Sequence, residues 1–325
     1  MLLCFANPNA RMLKGQRHLR EQLQSLLPRE TQIEWTHSIE DLFFALKRAE
    51  LATARLIIVI GGDGTLHQVI NALLEKLGLE SAHFPPIFAA GGGTMDFVAR
   101  RLRASGHLDI VPFSPLRALD RLSHSIKRGE KLSRVLLPSL LIDFDEGASR
   151  RLGFAIAIGG IGAQFFRAYY NDPDPSVGTM LSIVSRAIAG LPWRSPTASL
   201  LFDPSLALVA VDGKPLPTAF QSAIHAGAFP IALGHVFRLF PLAMPHAFHV
   251  QAGRMAPWAV IASLPRLVLG KPLRGHLLYE GRAHCLQARS LGQPFSPVID
   301  GEAYPPTRLV RVSPGPALPF VLPPL

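Results

Sequence analysis

Cysteine is almost absent. Cys4 and Cys285 are the only two in 325 residues, too few and too far apart for a disulfide framework or a cysteine-built metal cluster. Cys4 falls in the first apolar run and reads as a small buried hydrophobe. The twelve histidines include no His-x-x-x-His and no Cys/His cluster at ligand spacing on one element, so a histidine metal centre is not indicated. A long uninterrupted apolar run is also missing. Pro215 to Phe237 lacks Lys, Arg, Asp and Glu, yet prolines, glycines, Gln221, His225 and His235 break it up, which argues against a membrane span. The aromatic and basic residues do not interleave as in single-strand platforms, so nucleic acid is not an expected partner. The amino terminus carries no basic leader before Asn7-Pro8; it reads as a first strand, and a cytoplasmic chain is the expectation. Internal repeats and charge blocks are lacking as well.

Acidic residues are the scarcer charge. Lys and Arg total 33 against 23 Asp and Glu, a formal net charge of +10, which favours an anionic partner such as a nucleotide, an acidic lipid surface or nucleic acid without choosing among them. Hydrophobic residues at 48% and charged residues at 17% belong to a globular chain, and the length suffices for two domains with separate cores.

The most informative residues are Gly61-Gly62-Asp63-Gly64-Thr65. Leu56-Ile57-Ile58-Val59-Ile60 before them is the unbroken β-branched run of a buried parallel strand, and Leu66 to Leu77 behind them has helical spacing. A glycine-rich turn there lets backbone approach a phosphate, and the helix start adds N–H donors. Asp63 contributes a carboxylate suited to a metal ion or a hydroxyl proton. Two glycines before Asp-Gly are equally a common tight turn, but a second unit repeats the pattern. Pro86-Ile87-Phe88-Ala89-Ala90 runs into Gly91-Gly92-Gly93-Thr94-Met95-Asp96 and a helix-like stretch from Phe97 to Leu102. Two such units predict adjacent loops at the carboxyl edge of one parallel sheet, where open α/β folds bind ligands.

Along the chain, the pattern predicts a helix over Arg11 to Leu27, a strand over Gln32 to Thr36, a helix over Ser38 to Arg48 capped by Ser38, and a helix over Ser114 to Arg128 stopped by Gly129. This is the order of a doubly wound parallel sheet. Beyond it, strand-like runs at Arg134 to Asp143, Arg151 to Ile158 and Ala198 to Val211 predict a β-rich domain with helical inserts at Gly178 to Leu191 and Pro257 to Leu269. The expected boundary is at Gly129-Glu130: an α/β domain over 1–129, a β-rich domain over 130–312, and a Pro-rich tail over 313–325. Met255 to Leu269, flanked by Arg254 and Lys271, suits either a core-facing helix or a helix on a membrane surface. His67 is expected on an exposed helix face.

Asn7-Pro8 after a first strand, Gly61 to Asn71, Gly93-Thr94 with Ala99-Arg100 behind it, and Asp300-Gly301-Glu302 together resemble the catalytic domain of diacylglycerol kinases. That family includes sphingosine and ceramide kinases and bacterial soluble lipid kinases, and its first domain is similar to that of NAD kinases. The resemblance runs from Asn7 to about Val312. It implies an α/β nucleotide-binding domain followed by a β-sandwich-like domain, with the active site in the cleft between them. It implies transfer of the γ-phosphoryl group of ATP, with Mg²⁺, to a lipid hydroxyl. Carried over by position, Asn7, Gly61, Gly62, Gly64 and Thr65 would hold the phosphates, Gly93, Thr94 and Asp96 would contact nucleotide, and Asp63 would be catalytic or metal-associated. Asp300 or Glu302 would be the acid/base. No Walker-type Gly-Lys-Ser/Thr follows these glycines, so basic residues such as Lys14, Arg17 or Arg100 would complete the grip.

Two departures stand out. Where the family has Asn-Asp, this chain has Asp96-Phe97, replacing an amide that donates and accepts by an acceptor alone. Residues 228–253 also lack the acidic residues with which some bacterial members hold a second magnesium. The resemblance implies a soluble, cytoplasmic lipid kinase, peripheral on the inner face of the membrane, and the basic surplus would draw it to an anionic surface. The alternatives are a kinase of a soluble substrate, like NAD kinase, and a nucleotide- or lipid-binding protein without catalysis.

Overall fold

The structure, a computed structural model, describes residues 1–78, 84–93, 95–105, 114–172, 175–233 and 236–323. The chain forms two compact units, Met1–Leu137 with Ala317–Leu325, and Pro138–Pro316.

The first unit alternates strand and helix as its sequence pattern predicts: β1 Leu2–Ala6, α1 Leu19–Leu26, β2 Thr31–Trp35, α2 Ile39–Arg48, β3 Leu56–Gly61, α3 Asp63–Leu77, β4 Ile87–Gly92, α4 Phe97–Ser105, α5 Pro115–Lys127 and β5 Arg134–Leu137. The sheet order is β2, β1, β3, β4, then the strand Leu318–Val321, then β5. The first four strands are mutually parallel. Every residue of β3 and β4 is buried, which explains why they read as continuous apolar runs. Cys4, Ala6, Ile58, Ile60, Phe88 and Ala90 pack against Leu19 and Leu23 of α1 and Leu119 and Leu122 of α5. The alternating residues Leu3, Phe5, Ile57 and Val59 are buried on the other face.

Strand order fixes where a ligand can enter. From β1 the chain crosses to β2 on one side, and from β3 to β4 on the other. The carboxyl ends of β1 and β3 therefore flank a topological switch point, where open α/β sheets leave a crevice.

Several local expectations shift. Only Leu19–Leu26 of the 11–27 stretch is helical, because Gly15 at φ +82 and His18 at φ +61 break the run before it. The 134–143 run is two strands split at Pro138, β5 in the first unit and Leu140–Phe144 in the second; proline cannot continue a ladder through its nitrogen. The tail over 313–325 contributes Leu318–Val321, which pairs in parallel with β4 and antiparallel with β5, with Leu318 and Phe320 fully buried.

The second unit consists chiefly of two antiparallel sheets. One runs Lys214–Pro215, Ser205–Val211, Leu286–Ser290, Leu309–Pro314, Leu140–Phe144, Ser149–Gly153; the other runs Leu277–Ala283, Phe248–Arg254, Ala223–Gly227, Ala155–Gly160, Val298–Ile299, Glu302–Ala303. Among the described residues five α-helices accompany them: α6 Ile161–Tyr170, α7 Val177–Gly190, α8 Pro196–Phe202, α9 Pro257–Ala262 and α10 Leu264–Val268. Helix α8 replaces the first part of the expected 198–211 strand. Ser195 accepts from the Ala198 N–H, and proline follows at the first helical position, a start signal that outweighs the apolar run.

One buried polar row carries a pH dependence. His225, Gln251 and Glu280 lie opposite one another on three neighbouring strands, and His249 Nε2 stands 3.2 Å from Glu280 Oε1. The Gly162 N–H donates to His225 Nε2. Burial pushes the His225 imidazole down to about 4, against the opposing effects of Gln251 and Glu280. The folded state thus holds this ring neutral while the unfolded chain protonates near its ordinary value of about 6.5. The stability it contributes is present above about 6.5 and is lost as pH falls to about 4. His225 is half-buried by surface exposure, which holds the loss to about 2 kcal/mol. Urea denaturation at neutral pH and near pH 4.5 should show His225→Asn with a correspondingly smaller drop than the parent.

Candidate functional site

Gly61 closes β3, Gly62 is the N-cap of α3, and Asp63, Gly64 and Thr65 form its first turn. No side chain caps this helix, and helix geometry gives first-turn N–H groups no intrahelical acceptor. An anion in the crevice is the natural acceptor for them. From the end of β1, Asn7 reaches across the switch point: its Nδ2 donates to Thr65 Oγ1 at 3.3 Å, while its Oδ1 accepts the Asn9 N–H at 2.9 Å. The Met12 N–H donates to Gly92 O at 2.9 Å, so the loop after β1 is tied to both glycine-rich turns.

The two turns touch through backbone. A Cβ on Gly93 would stand 2.6 Å from Gly62 Cα, and one on Gly62 would stand 3.1 Å from Gly93 Cα. Gly92 is held at φ +140, where side chains are strained. Gly93→Ala must therefore push backbone apart, and it should destabilise the protein by about 2 kcal/mol. Gly62→Ala should have a smaller effect, the order being read from urea denaturation midpoints. Thr94 lies outside the described residues.

Two carboxylates organise the second turn, in an unexpected exchange. Asp96, at φ +44 and 3% exposed, directly precedes α4 and its carbonyl accepts the Arg100 N–H. Its side chain turns back, accepting from Gly92 N at 2.7 Å and Gly93 N at 2.9 Å. The N–H groups of α4 are met instead by Asp63, from Phe97 N at 3.2 Å and Val98 N at 3.5 Å. An acceptor is what the Gly92 and Gly93 amides require, which gives aspartate at 96 a physical reason. Burial pushes the Asp96 carboxyl up, opposed by the two amide bonds and by the charges of Arg100 and Arg103. Burial lowers Arg100, opposed by Asp96 and then Asp63. Lys14 and Arg17 are exposed. His67 is 1% exposed, not on an outer face, and packs with Asn71, whose Nδ2 donates to His67 O at 2.9 Å.

A cavity of about 290 Å³ opens at the same carboxyl edge, with Pro8 after β1, Trp35 at the end of β2, His37 beyond it, and Arg20 among its lining residues. The Arg20 guanidinium lies 5.2 Å from the Trp35 ring centre.

In the second unit, Ile299 pairs with Glu302, so Asp300-Gly301 is the turn of a hairpin, at φ +51 and +93. Two successive positive φ values mark a type I′ turn, for which Asp-Gly is favoured. The turn is not merely a surface feature. Asp300 is 7% exposed, and its Oδ1 accepts the Phe154 and Ala155 N–H groups at 2.8 Å each, with Oδ2 3.1 Å from Phe154 N. Glu302 follows with greater exposure. Tyr304 stacks on Phe144 with ring centres 5.6 Å apart. Burial pushes its phenol up to about 12, with Arg151 opposing and Asp300 and Glu302 reinforcing, so it stays protonated and serves as no base near neutral pH.

Sequence reasoning missed the Phe97 and Val98 amides on Asp63, the Phe154 and Ala155 amides on Asp300, and the Met12 tie. Backbone donors brought in from other elements leave no local residue signature. Among the described residues no group of three or more His, Cys, Asp or Glu could hold a metal ion by itself.

A family model for the diacylglycerol kinase catalytic domain matches residues 1–129. No curated protein matches the chain. A solved structure from Bacillus anthracis str. Sterne, described as a diacylglycerol kinase, is 14% identical with a TM-score of 0.62, covering 99% of this chain and 97% of that one. Two more from the same strain carry that activity as a provisional assignment. One is 14% identical with a TM-score of 0.65 over 99% and 97%, the other 15% identical with a TM-score of 0.65 over 98% and 96%. At such identities the likeness is one of fold. The first 129 residues match the diacylglycerol kinase catalytic domain, and the chain as a whole, a parallel α/β unit followed by a β-rich one, has the fold of those bacterial structures.

Proposed function

We propose that the protein is an ATP-dependent lipid kinase, transferring the γ-phosphoryl group to a lipid hydroxyl. The observation that carries this reading is the convergence of Asn7, the Gly61 to Thr65 turn and the Gly92-Gly93 turn on one switch point, with their backbones in contact and Asp63 between them. Phosphoryl transfer through a loose transition state asks chiefly for positioning and charge neutralisation. The first-turn amides of α3 and the Gly93 turn would take the phosphates, and Asn7 would orient Thr65. Asp96 would act on the nucleotide through the turn it holds.

One carboxylate sharing an ion with phosphate oxygens is a donor set that suits Mg²⁺. Asp63, with its long bonds to α4, fits that place, and bound there the ion would neutralise charge developing on the phosphates. An attacking hydroxyl must lose its proton, and a carboxylate within reach can accept it. Asp300 Oδ1 is already taken by two amides. The base role therefore falls to Glu302, with Asp300 setting the turn that presents it.

The decisive panel is labelled ATP and Mg²⁺ with mixed micelles of diacylglycerol, sphingosine or ceramide, beside NAD. Label in one of the lipids supports the proposal. Label on NAD alone would favour a soluble acceptor, and ATP binding without any transfer would leave a binding protein.

A further inference from the structure

Helices α9 and α10 are apolar yet bury no residue fully. Their sequences, Pro-Trp-Ala-Val-Ile-Ala and Leu-Pro-Arg-Leu-Val, contain one charge between them, and neither helix has a buried residue. Trp258 is 58% exposed, Val268 43% and Leu269 62%. The segment is nevertheless fixed to the unit. Met255 is buried and exchanges backbone bonds with Ser222 Oγ; Ser263 is buried between the helices; Arg266 Nε donates to Pro272 O at 2.7 Å. A core-facing amphipathic helix would bury its apolar side, so these residues serve something other than the core.

The surrounding charge says what. From Arg254 to Tyr279 the sequence has no Asp or Glu, while Arg254, Arg266, Lys271 and Arg274 are all cationic. Arg254 also lies over the ring of Phe220, itself 49% exposed. A second copy of the chain is a poor occupant, since a two-fold interface would set this cationic rim against itself. Exposed tryptophan and leucine rimmed by cations match an anionic bilayer, whose interface takes tryptophan rings and short apolar helix faces. The helices are too short to cross it, and no helix among the described residues is long and apolar enough to do so.

We infer that residues 254–274 form a bilayer-docking surface that seats on anionic lipid through Trp258, Val268 and Leu269, with Arg254, Lys271 and Arg274 on the headgroups. The inference deepens the lipid-kinase reading by naming how the chain would meet a membrane-resident acceptor, and it is tested without turnover. The purified full chain is sedimented with phosphatidylcholine vesicles, with and without phosphatidylglycerol. The parent should bind the anionic vesicles and release with salt. Lys271→Gln with Arg274→Gln should weaken binding about twenty-fold, near five-fold per charge. Trp258→Glu with Leu269→Glu should weaken it at least about ten-fold, with the melting temperature unchanged.

Parent-like partition of the Trp258→Glu/Leu269→Glu variant would overturn the inference. So would a parent that ignores vesicles but forms a dimer which that variant dissolves. A parent that binds vesicles yet phosphorylates no lipid in micelles would sink the kinase reading and leave the docking surface standing. Transfer in micelles with no vesicle binding would do the reverse.

Discussion

Asp63→Asn should lower phosphoryl transfer at least about a thousand-fold, the scale of removing a group that stabilises transition-state charge. The same variant should lose only about 1 kcal/mol of stability. The two effects separate because Asp63 does two things. Its carboxylate accepts from Phe97 and Val98 at the start of α4, and an asparagine oxygen can still accept there. The negative charge is what asparagine cannot supply, and in the proposed reaction it is the charge that matters, beside the metal and the phosphates. Initial rates compared with urea denaturation on one preparation resolve the roles. Activity that fell only in step with the folded fraction would reduce Asp63 to a helix cap. Asp63→Ala should lose both functions, with the larger stability loss.

Asp300→Ala should destabilise the protein by about 3 kcal/mol, because it strands the Phe154 and Ala155 N–H groups in a buried place. It also puts alanine at a position where φ is +51, which aspartate tolerates better. Glu302→Gln should behave oppositely: stability within about 0.5 kcal/mol of the parent, and transfer reduced about a hundred- to ten-thousand-fold through loss of the base. The pair is informative because the residues are two apart in one hairpin yet are assigned different work. An active Glu302→Gln, beside an Asp300→Asn that folds normally but transfers nothing, would move the base to Asp300.

The elements that bury one continuous face were legible in the sequence. Leu56 to Ile60 and Ile87 to Ala90 read as central parallel strands because no polar residue interrupts them, and the Ser38 cap emerged as a capping box with Asp41. The site's residue types were legible too, since few residues besides glycine allow the Gly62–Gly93 approach. What sequence could not carry was pairing over long separations. The closing strand Leu318–Val321 joins β4 and β5 from the far end of the chain, and its prolines read locally as a tail. The exchange of partners between Asp63 and Asp96 depends on two turns meeting in space, so the sequence alone leaves two readings of the Asp96-Phe97 departure: Asp96 takes over the acidic role, or nucleotide binding is altered. In the fold Asp96 is an acceptor matched to two amides. Met255 to Leu269 suits either a core-facing or a membrane-surface helix by composition, and only the exposure of Trp258, Val268 and Leu269 favours the second.

The central claim, transfer of the γ-phosphoryl group to a lipid, is tested most directly by following label from ATP into the organic phase. Two reactions run in parallel with diacylglycerol, sphingosine or ceramide micelles, one with ATP labelled at the γ-phosphate and one at the α-phosphate. The account predicts organic-phase label from the γ-labelled nucleotide alone, growing with time and abolished by Asp63→Asn. Organic-phase counts at background from both nucleotides, with ATP bound and the protein folded, would contradict it.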